Sequence, residues 1–596
     1  MFFENFVCLP QQDHYIVNRQ NNLENRQREY NFTVNNTVFG YPEVIPGLPP
    51  SFKLMAPTYM LPKEEQLTQT SMAPHGIALL STNFQSIINK FVSMKNKISL
   101  HSVEQYLKLI VLPNYPQIIQ NQTQDQLNTF NWLSDEEFGR QRIQGINSGK
   151  LELLNSLTMA NRNIPEKLNF TVNKTILNQV LSEAIDTNFD DALQRQLLYV
   201  IDYEIFEDQE YIDAALSFDR YVSSPLALFY VNPETGKLYP LCIKILQNDA
   251  ESPVFSPKST YYEWVFAKLW FQSADGQYME FITHLFECHL LGEVFAIATH
   301  RQLSESHPIF QLLHPHFNLL LDINWRARGD LLGKNGPIDT LLGPGSVGAL
   351  KFIAKFNKTY KWSENTFVER MKRNNIPSDL KESTTVKNYF FREDGLTVYN
   401  QVHQFVSNVL NVFYKHPEDI ERDFELQAWF NELHSSWGGQ MQSLTQSGKL
   451  ETLEEVIQLI TDIIFRVSVE HSIGNHGQWD MYGFTPNVPG ALYLDPRKVK
   501  SGIVISQETV IDALPPKHET VSQISITHLL SNTDTGLPTL IATPYKFEKD
   551  PQLSKYVYKL RSSLEDISDK IQLRNQFVKI PYSYIDPSKV CSSIFI

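Results

Sequence analysis

FITHLFECHLLGEVFAIAT, residues 281–299, is the stretch from which the rest of the chain is read. It is apolar, meets its first Gly only at Gly292 and contains no Pro, so it predicts a helix buried around most of its circumference. Within it lie His284, His289, Glu287 and Glu293. A buried imidazole must find a partner, since an unpaired buried polar group costs about 1–3 kcal/mol. In a regular α-helix, residues i and i+5 point about 140° apart, so these histidines could not share a metal unless the helix were locally widened. A π-bulge widens a helix in that way, and such bulges concentrate at functional sites. One reading is therefore two ligands of one metal on a π-distorted helix. The other is two separately hydrogen-bonded core histidines.

Working outward, 596 residues at 42% hydrophobic content can bury a large core. A net charge of -14 without a basic block argues against nucleic acid as a partner. Cys8, Cys242, Cys288 and Cys591 are far apart and form no CxxC pair, which predicts reduced core thiols. The opening MFFENFVCLPQQDHY has no basic segment ahead of an apolar core, so no secretory signal is expected. The most apolar segment is the histidine helix itself, and its charged and imidazole side chains argue against a membrane span.

Residues 1–75 are polar and rich in Asn, Gln and Pro, and are expected to form an irregular arm or a few short helices around a body spanning 76–596. SIINKFVSMKNKI (86–98) and HSVEQYLKLIVL (101–112) carry helical spacing, and Ser134 with Glu137 fits a capping box. Between 197 and 247, short β-branched and aromatic runs flank Pro233-Glu-Thr-Gly236, which predicts a hairpin. Helical segments resume at Tyr261 and recur to Asn575, with loops at 343–345, 485–489 and 514–516. The expected fold class is mainly α, with a small antiparallel sheet.

A second constellation follows the apolar run VIQLITDIIF. His471 and Asn475, at i and i+4, face one side of a helix, whereas His476 points elsewhere. Gln478 could hydrogen-bond to the groups that orient ligands. Taken alone, such a pair is common by chance. The chain finishes VCSSIFI, apolar to Ile596, and an inward-folded apolar tail takes the α-carboxylate with it, where it needs a cation. Three His, one Asn and one carboxylate would leave an open octahedral position, suiting non-heme iron or manganese better than zinc. His307, His314 and His316 read as loop and helix-start punctuation. Glu287 and Glu293 read as structural hydrogen-bonders to neighbouring helices, and Cys288 as an inert thiol.

In order along the chain, WLSDEEFGRQRIQGIN (132–147), WVFAK (264–268), the HxxxxHxxxE pattern from His284 to Glu293, ATHRQLSESHPIF (298–310), LHPH (313–316) and DINWRAR (322–328) resemble the lipoxygenases, and the animal type most closely. His471 with Asn475, Gly477-Gln478, TPNVP (485–489), Arg574-Asn575, Pro581-Tyr582 and the terminal Ile596 extend the resemblance. It implies a large helical domain around a long π-bulged helix, one non-heme iron (manganese as the alternative), and His284, His289, His471, Asn475 and the Ile596 carboxylate as ligands. It puts Gln478 behind the ligands, Ala327 at a position that tracks S against R oxygenation, and Leu331 and Ile338 on the substrate channel. Gly276, Leu341 and Leu342 fall where pocket depth is set, with the small Gly276 implying a deep pocket, and Arg326 where a fatty-acid carboxylate could be met.

The resemblance further implies dioxygenation of a polyunsaturated fatty acid by O2, with a phospholipid surface as a further candidate partner and a monomeric state. Hydroperoxide isomerisation to epoxyalcohols or allene oxides on the same site, or a non-catalytic lipid-binding role, are the alternatives. The family's N-terminal lipid-binding β-barrel is not matched, Met279 and Glu280 replace the plant-type His-Gln, and Ser592-Ser593 replaces the usual Asn-Ser before the end. The Asn- and Gln-rich composition suggests a bacterial cytoplasmic protein, with non-standard export as the alternative.

Overall fold

A single continuous helix, Tyr261–Gln302, runs through the middle of the computed structural model. That structure describes residues 7–34, 40–41, 43–53, 61–66, 98–111, 114–120, 122–500, 502–531 and 536–595. The helix begins where the Glu263 carboxylate accepts the Thr260 N–H at 2.8 Å, leaving the apolar run to propagate from a capped start. It is α-helical over Tyr261–Tyr278, π-helical over Met279–Leu290 and α-helical again over Leu291–Gln302. The expected bulge is thus a π-wound stretch of 12 residues. The helix is long and apolar enough to cross a membrane, but 89% of its most apolar window is buried within the protein.

Helix Leu453–Phe465, opened by reciprocal Thr452 and Glu455 bonds, leads into a second π-wound segment, Arg466–Glu470, and then into helix His471–Tyr482. The two π segments pack against each other. Helix Phe390–Phe413 packs against both Leu453–Phe465 and the last helix, Ser554–Asn575.

The described part of the arm carries a helix, Ile16–Glu29, and two short antiparallel strands, β1 (Phe32–Thr33) and β2 (Ser51–Phe52). It lies against the central helix: Arg301 donates to the Gln27 carbonyl at 2.8 Å, and Phe52 N–H donates to Glu293 at 2.8 Å. The segment 86–98, expected to be helical, falls outside the described residues except for its last position, and the helix expected within 101–112 is Val103–Leu107.

The sheet is antiparallel throughout, in the order β3 (Glu152–Leu153), β4 (Leu198–Asp202), β5 (Leu226–Val231), β6 (Leu238–Lys244), β7 (Val254–Phe255). The β5–β6 hairpin turns through Pro233-Glu-Thr-Gly236, with Asn232 Oδ1 accepting two turn amides and Gly236 at φ +72°. Its register slips beside Pro240, which has no N–H to give the ladder. Helix Asp135–Gln144 docks on β6 through Gly139, where a Cβ would stand 1.8 Å from the Leu238 carbonyl oxygen. Its start is the expected Ser134, accepting Glu137 N–H at 3.4 Å, but the box is half-formed because Arg140 takes the Glu137 carboxylate. None of the four cysteines is in a disulfide. Three are buried, and burial pushes Cys242 up to about 12 and Cys288 higher, in keeping with inert core thiols.

Candidate metal centre and its cavity

Winding the central helix as a π-helix, with i→i+5 hydrogen bonding, brings residues five apart onto one face. His284 and His289 therefore converge, with their Nε2 atoms 3.3 Å apart. His471, released from the second π segment, closes the group: its ring centre is 5.2 Å from that of His284 and 5.0 Å from that of His289. Ligand atoms from all three lie within 4.8 Å of one another, and all three rings are buried.

The tautomers follow from the partners. Asn324 Nδ2 donates to the His289 carbonyl and to Glu293 Oε2, each at 2.9 Å, so its Oδ1 faces His289 Nδ1 at 2.8 Å and that nitrogen carries the proton. His284 Nδ1 lies 3.3 Å from Glu280 Oε2, a carboxylate that can only accept, with the Gln478 amide 3.5 Å away. Both Nε2 atoms then present lone pairs to each other, a repulsive contact that a shared cation relieves. Burial, reinforced by His284, lowers the His289 pKa to about 3, so the ring is neutral as a ligand must be.

Asn475 sits one turn beyond His471. Its Nδ2 donates to the Leu530 carbonyl at 2.8 Å, while its Oδ1 is buried with no protein hydrogen-bond partner. A buried carbonyl oxygen left over in this way is what a cation site needs. The chemistry of this donor set, two imidazoles whose Nε2 atoms face each other, a third imidazole and an orphaned amide oxygen, fits a divalent transition metal. His476 takes no part in this group; its ring lies 5.5 Å from that of Phe595.

Ile596 lies outside the described residues, but the tail leading to it folds inward: Ile594 and Phe595 are buried, and the Phe595 ring is 5.8 Å from that of His471. His316, read from sequence as punctuation, grips this tail. Its Nδ1 bonds the Ser592 carbonyl at 2.6 Å and its Nε2 accepts from Tyr545 at 2.7 Å. His307 does act as punctuation, capping helix Pro308–Leu313 through Ile309 N–H while bonding Asp423.

Above the histidines opens a largely apolar cavity of about 950 Å³, open solvent at its mouth included. His284 and His289 form part of its lining, and so do Gly276, Ala327, Leu331, Ile338, Leu341, Leu342 and Gln478. Gly276 packs under Val488 and Tyr482: a Cβ there would meet Val488 Cγ1 at 2.5 Å, so the space a larger residue would take at this end of the cavity is filled by Val488. Arg326 is not brought to the cavity. It pairs with Asp322 one turn back on helix Leu320–Asp330, the pairing that i,i+4 opposite charges favour.

Glu287 and Glu293 are structural, as expected. Glu293 holds Phe52 N–H, Asn324 and Arg328. Glu287 binds Arg466 at 2.5 Å and Arg370 at 3.2 Å, and both arginines also meet Glu470, which joins the two π segments. Sequence reading missed the roles of Glu280, Asn324, Arg466 and His316. Glu280 is four residues before His284, a spacing that could have signalled the pair, whereas Asn324, Arg466 and His316 meet partners 35, 179 and 276 positions away that no local pattern announces.

The family model for lipoxygenases matches residues 11–581. The chain is 30% identical to a polyunsaturated fatty acid lipoxygenase of Homo sapiens over 466 residues, 78% of this chain and 66% of that protein. It is 29% identical to an allene oxide synthase-lipoxygenase protein of Plexaura homomalla over 485 residues, 77% of this chain and 43% of that one. It is 28% identical to a hydroperoxide isomerase of Mus musculus, covering 78% and 63%. This chain thus spans between two fifths and two thirds of the length of these relatives. The crystal structure of a coral 8R-lipoxygenase superposes with a TM-score of 0.82 at 26% identity, covering 99% of this chain and 83% of that one. A lipoxygenase in complex with arachidonate gives 0.80 at 26%, covering 98% and 83%. A buried histidine cluster on two π-wound helices, beneath an apolar cavity in a fold of this likeness, agrees with the family match, and the chain belongs to the lipoxygenase family.

Proposed function

We propose that the chain dioxygenates a polyunsaturated fatty acid of the linoleate or arachidonate class, using one non-heme iron held by His284, His289, His471, Asn475 and the Ile596 carboxylate. The observation that carries this reading is the convergence of three buried histidines, with the Nε2 atoms of His284 and His289 3.3 Å apart at the wall of the apolar cavity. Non-heme iron is the family's metal, and manganese would accept the same donors. Bound there, the oxidised metal supplies an acceptor for the hydrogen atom of a bis-allylic methylene.

The chain's own residues do the rest. Glu280 and Asn324 hold the Nδ1 protons of His284 and His289, fixing both rings in the ligand tautomer. The apolar walls exclude water and leave the fatty acid's acyl chain to be placed by shape. Leu331 and Ile338 flank it, and Gly276, Leu341 and Leu342 bound its depth. Ala327 sets which face of the pentadienyl radical meets O2, and we assign it an S-configured product.

Relatives named as hydroperoxide isomerase and allene oxide synthase-lipoxygenase favour one second reading, conversion of added hydroperoxide on the same site. Metal analysis by mass spectrometry, oxygen uptake with linoleate and arachidonate, loss of added hydroperoxide and chiral analysis of products separate the two. His284→Ala, His289→Ala and His471→Ala should each lose metal and turnover together. A variant that keeps full metal and full oxygen uptake sinks the ligand assignment.

A further inference from the structure

A second cavity, of about 720 Å³ with open solvent at its mouth included, lies behind one wall of the substrate cavity, with Glu207, Leu216, Arg220, Val222, Leu246 and Arg497 in its lining. The partition between the two is one chain segment thick. Gln277 faces the inner cavity, Val222 the outer one, and the Gly343 backbone lies between them: a Cβ on Gly343 would stand 2.7 Å from Val222 Cγ1 and 2.8 Å from Gln277 Oε1. The partition is the C-terminal end of the short helix Pro337–Leu341 and the turn after it, from which Ile338, Leu341 and Leu342 project into the inner cavity.

A helix end leaves carbonyls without partners in the helix, and here one side chain collects them. Arg220 Nη1 donates to the Asp339 carbonyl at 3.0 Å and the Leu342 carbonyl at 2.9 Å, and Nη2 donates to the Thr340 carbonyl. The same guanidinium reaches the opposite wall. It lies 3.8 Å from Glu519 at the start of helix Lys517–Leu530, whose Gln523, Ile526, Thr527 and Leu530 line the inner cavity. Arg220 is 6% exposed, with its guanidinium carbon 5.0 Å over the Phe218 ring. A planar fork of five donors suits this task, and a lysine's single ammonium cannot serve three divergent carbonyls equally well.

We infer that Arg220 is a specificity-determining positioning residue: by clamping the Asp339–Thr340–Leu342 carbonyls it holds the partition in place between the two cavities, and so sets how far an acyl chain can enter. The inference rests on the reaction proposed above. Without the clamp, the Leu341–Leu342 wall is free to shift toward the outer cavity, the inner cavity lengthens, and a different bis-allylic methylene comes to rest over the metal.

The test is the ratio of positional isomers formed from arachidonate, which has several bis-allylic methylenes, with linoleate, which has one, reporting whether oxygenation survives. Arg220→Met should move the arachidonate isomer ratio at least fivefold, and Arg220→Lys should move it less. Adding Leu216→Phe, which refills the outer cavity from helix Gln209–Leu216, should bring the ratio back toward that of the unsubstituted protein. An unchanged ratio in an oxygenating Arg220→Met protein overturns the inference, as does a shifted ratio that Leu216→Phe leaves where it was. If Arg220→Met does not fold, Arg220→Lys decides by the same ratio, and a ratio equal to that of the unsubstituted protein overturns the inference. Failure of the unsubstituted protein to oxygenate either fatty acid removes the proposed reaction, and the inference with it. An unchanged ratio removes the inference alone.

Discussion

Replacing Asn324 by Leu isolates what the neighbouring shell contributes to the metal centre. Asn324 is 3% exposed and makes three hydrogen bonds: Oδ1 accepts from His289 Nδ1 at 2.8 Å, and Nδ2 donates to the His289 carbonyl and Glu293 Oε2 at 2.9 Å each. Leucine is close in volume, so the cavity left is small and the loss is mainly polar. Glu293 keeps Phe52 N–H and Arg328. The group stranded is His289 Nδ1–H, buried, at a cost of about 1–3 kcal/mol to the metal-free protein. Without an acceptor at Nδ1 the ring can rotate, or carry its proton on Nε2 instead, where it competes with the metal. Loss of such a partner typically weakens metal affinity about 10–100-fold, or about 1.4–2.8 kcal/mol. The assay is competition of purified protein against a chromophoric chelator with added ferrous or manganous ion, alongside thermal unfolding of the metal-free form. We expect both affinity and metal-free stability to fall. If stability falls while affinity stays within about twofold of the unsubstituted protein, Asn324 is a packing residue and the tautomer argument is refuted.

Two further perturbations test the supports behind the site. Glu287→Gln leaves Arg466 and Arg370 facing Glu470 alone in the interior; breaking a buried ion pair costs about 3–5 kcal/mol. Chemical denaturation should show that loss, partly recovered when Arg370→Met is added, and a loss under about 1 kcal/mol would contradict the assignment. Asp462 is buried, and burial outweighs its bonds from Tyr399 at 2.7 Å and Gln458 at 2.9 Å, raising its pKa to about 7. An acid raised above its unfolded value binds more protons in the folded state, so its unfavourable contribution is absent below about pH 4 and grows to about 4 kcal/mol as pH rises through about 7. Asp462→Asn should therefore stabilise the protein most at pH 8 and little at pH 4. A difference in unfolding free energy from the unsubstituted protein that stays flat across that window would show the carboxyl to be ordinary.

Local signals in the chain were legible. The uninterrupted apolar run announced the central helix, Pro233-Glu-Thr-Gly236 announced the hairpin, and the i+5 spacing of His284 and His289 offered, as one of two readings, the widened helix that Met279–Leu290 provides. The length of that π stretch was not legible, because two histidines specify a phase at two points only. The second π segment, Arg466–Glu470, left no trace, since His471 and Asn475 both lie after it at ordinary α spacing, which says nothing of the winding before them. Arg326 carries a local signal of another kind: Asp322 four residues before it was a visible claim on the guanidinium, and the two pair in the structure. His316 and Arg220 act on backbone carbonyls 276 and about 120 positions away in sequence, and a carbonyl carries no side-chain identity for a sequence reading to detect.

The two π segments also explain why the charges behind the site lie where they do. A π turn is rare and less favourable than α-helix, and two adjacent ones need compensation from outside their own backbones. Glu287 belongs to one segment, Arg466 and Glu470 to the other, and Arg370 to a third helix, Phe367–Arg373, that closes the group. Glu287, Glu470 and Arg370 line a separate polar cleft that shares no residue with the substrate cavity, so the network grips the helices without charging the cavity wall. Because each carboxylate is bound by arginines that also bind the other, neither segment can rewind to α-helix without breaking contacts of its neighbour. The convergence of His284, His289 and His471 is on this argument a property of the helix pair. It should be lost in both helices together when the network is broken, even though no member of the network touches the metal position.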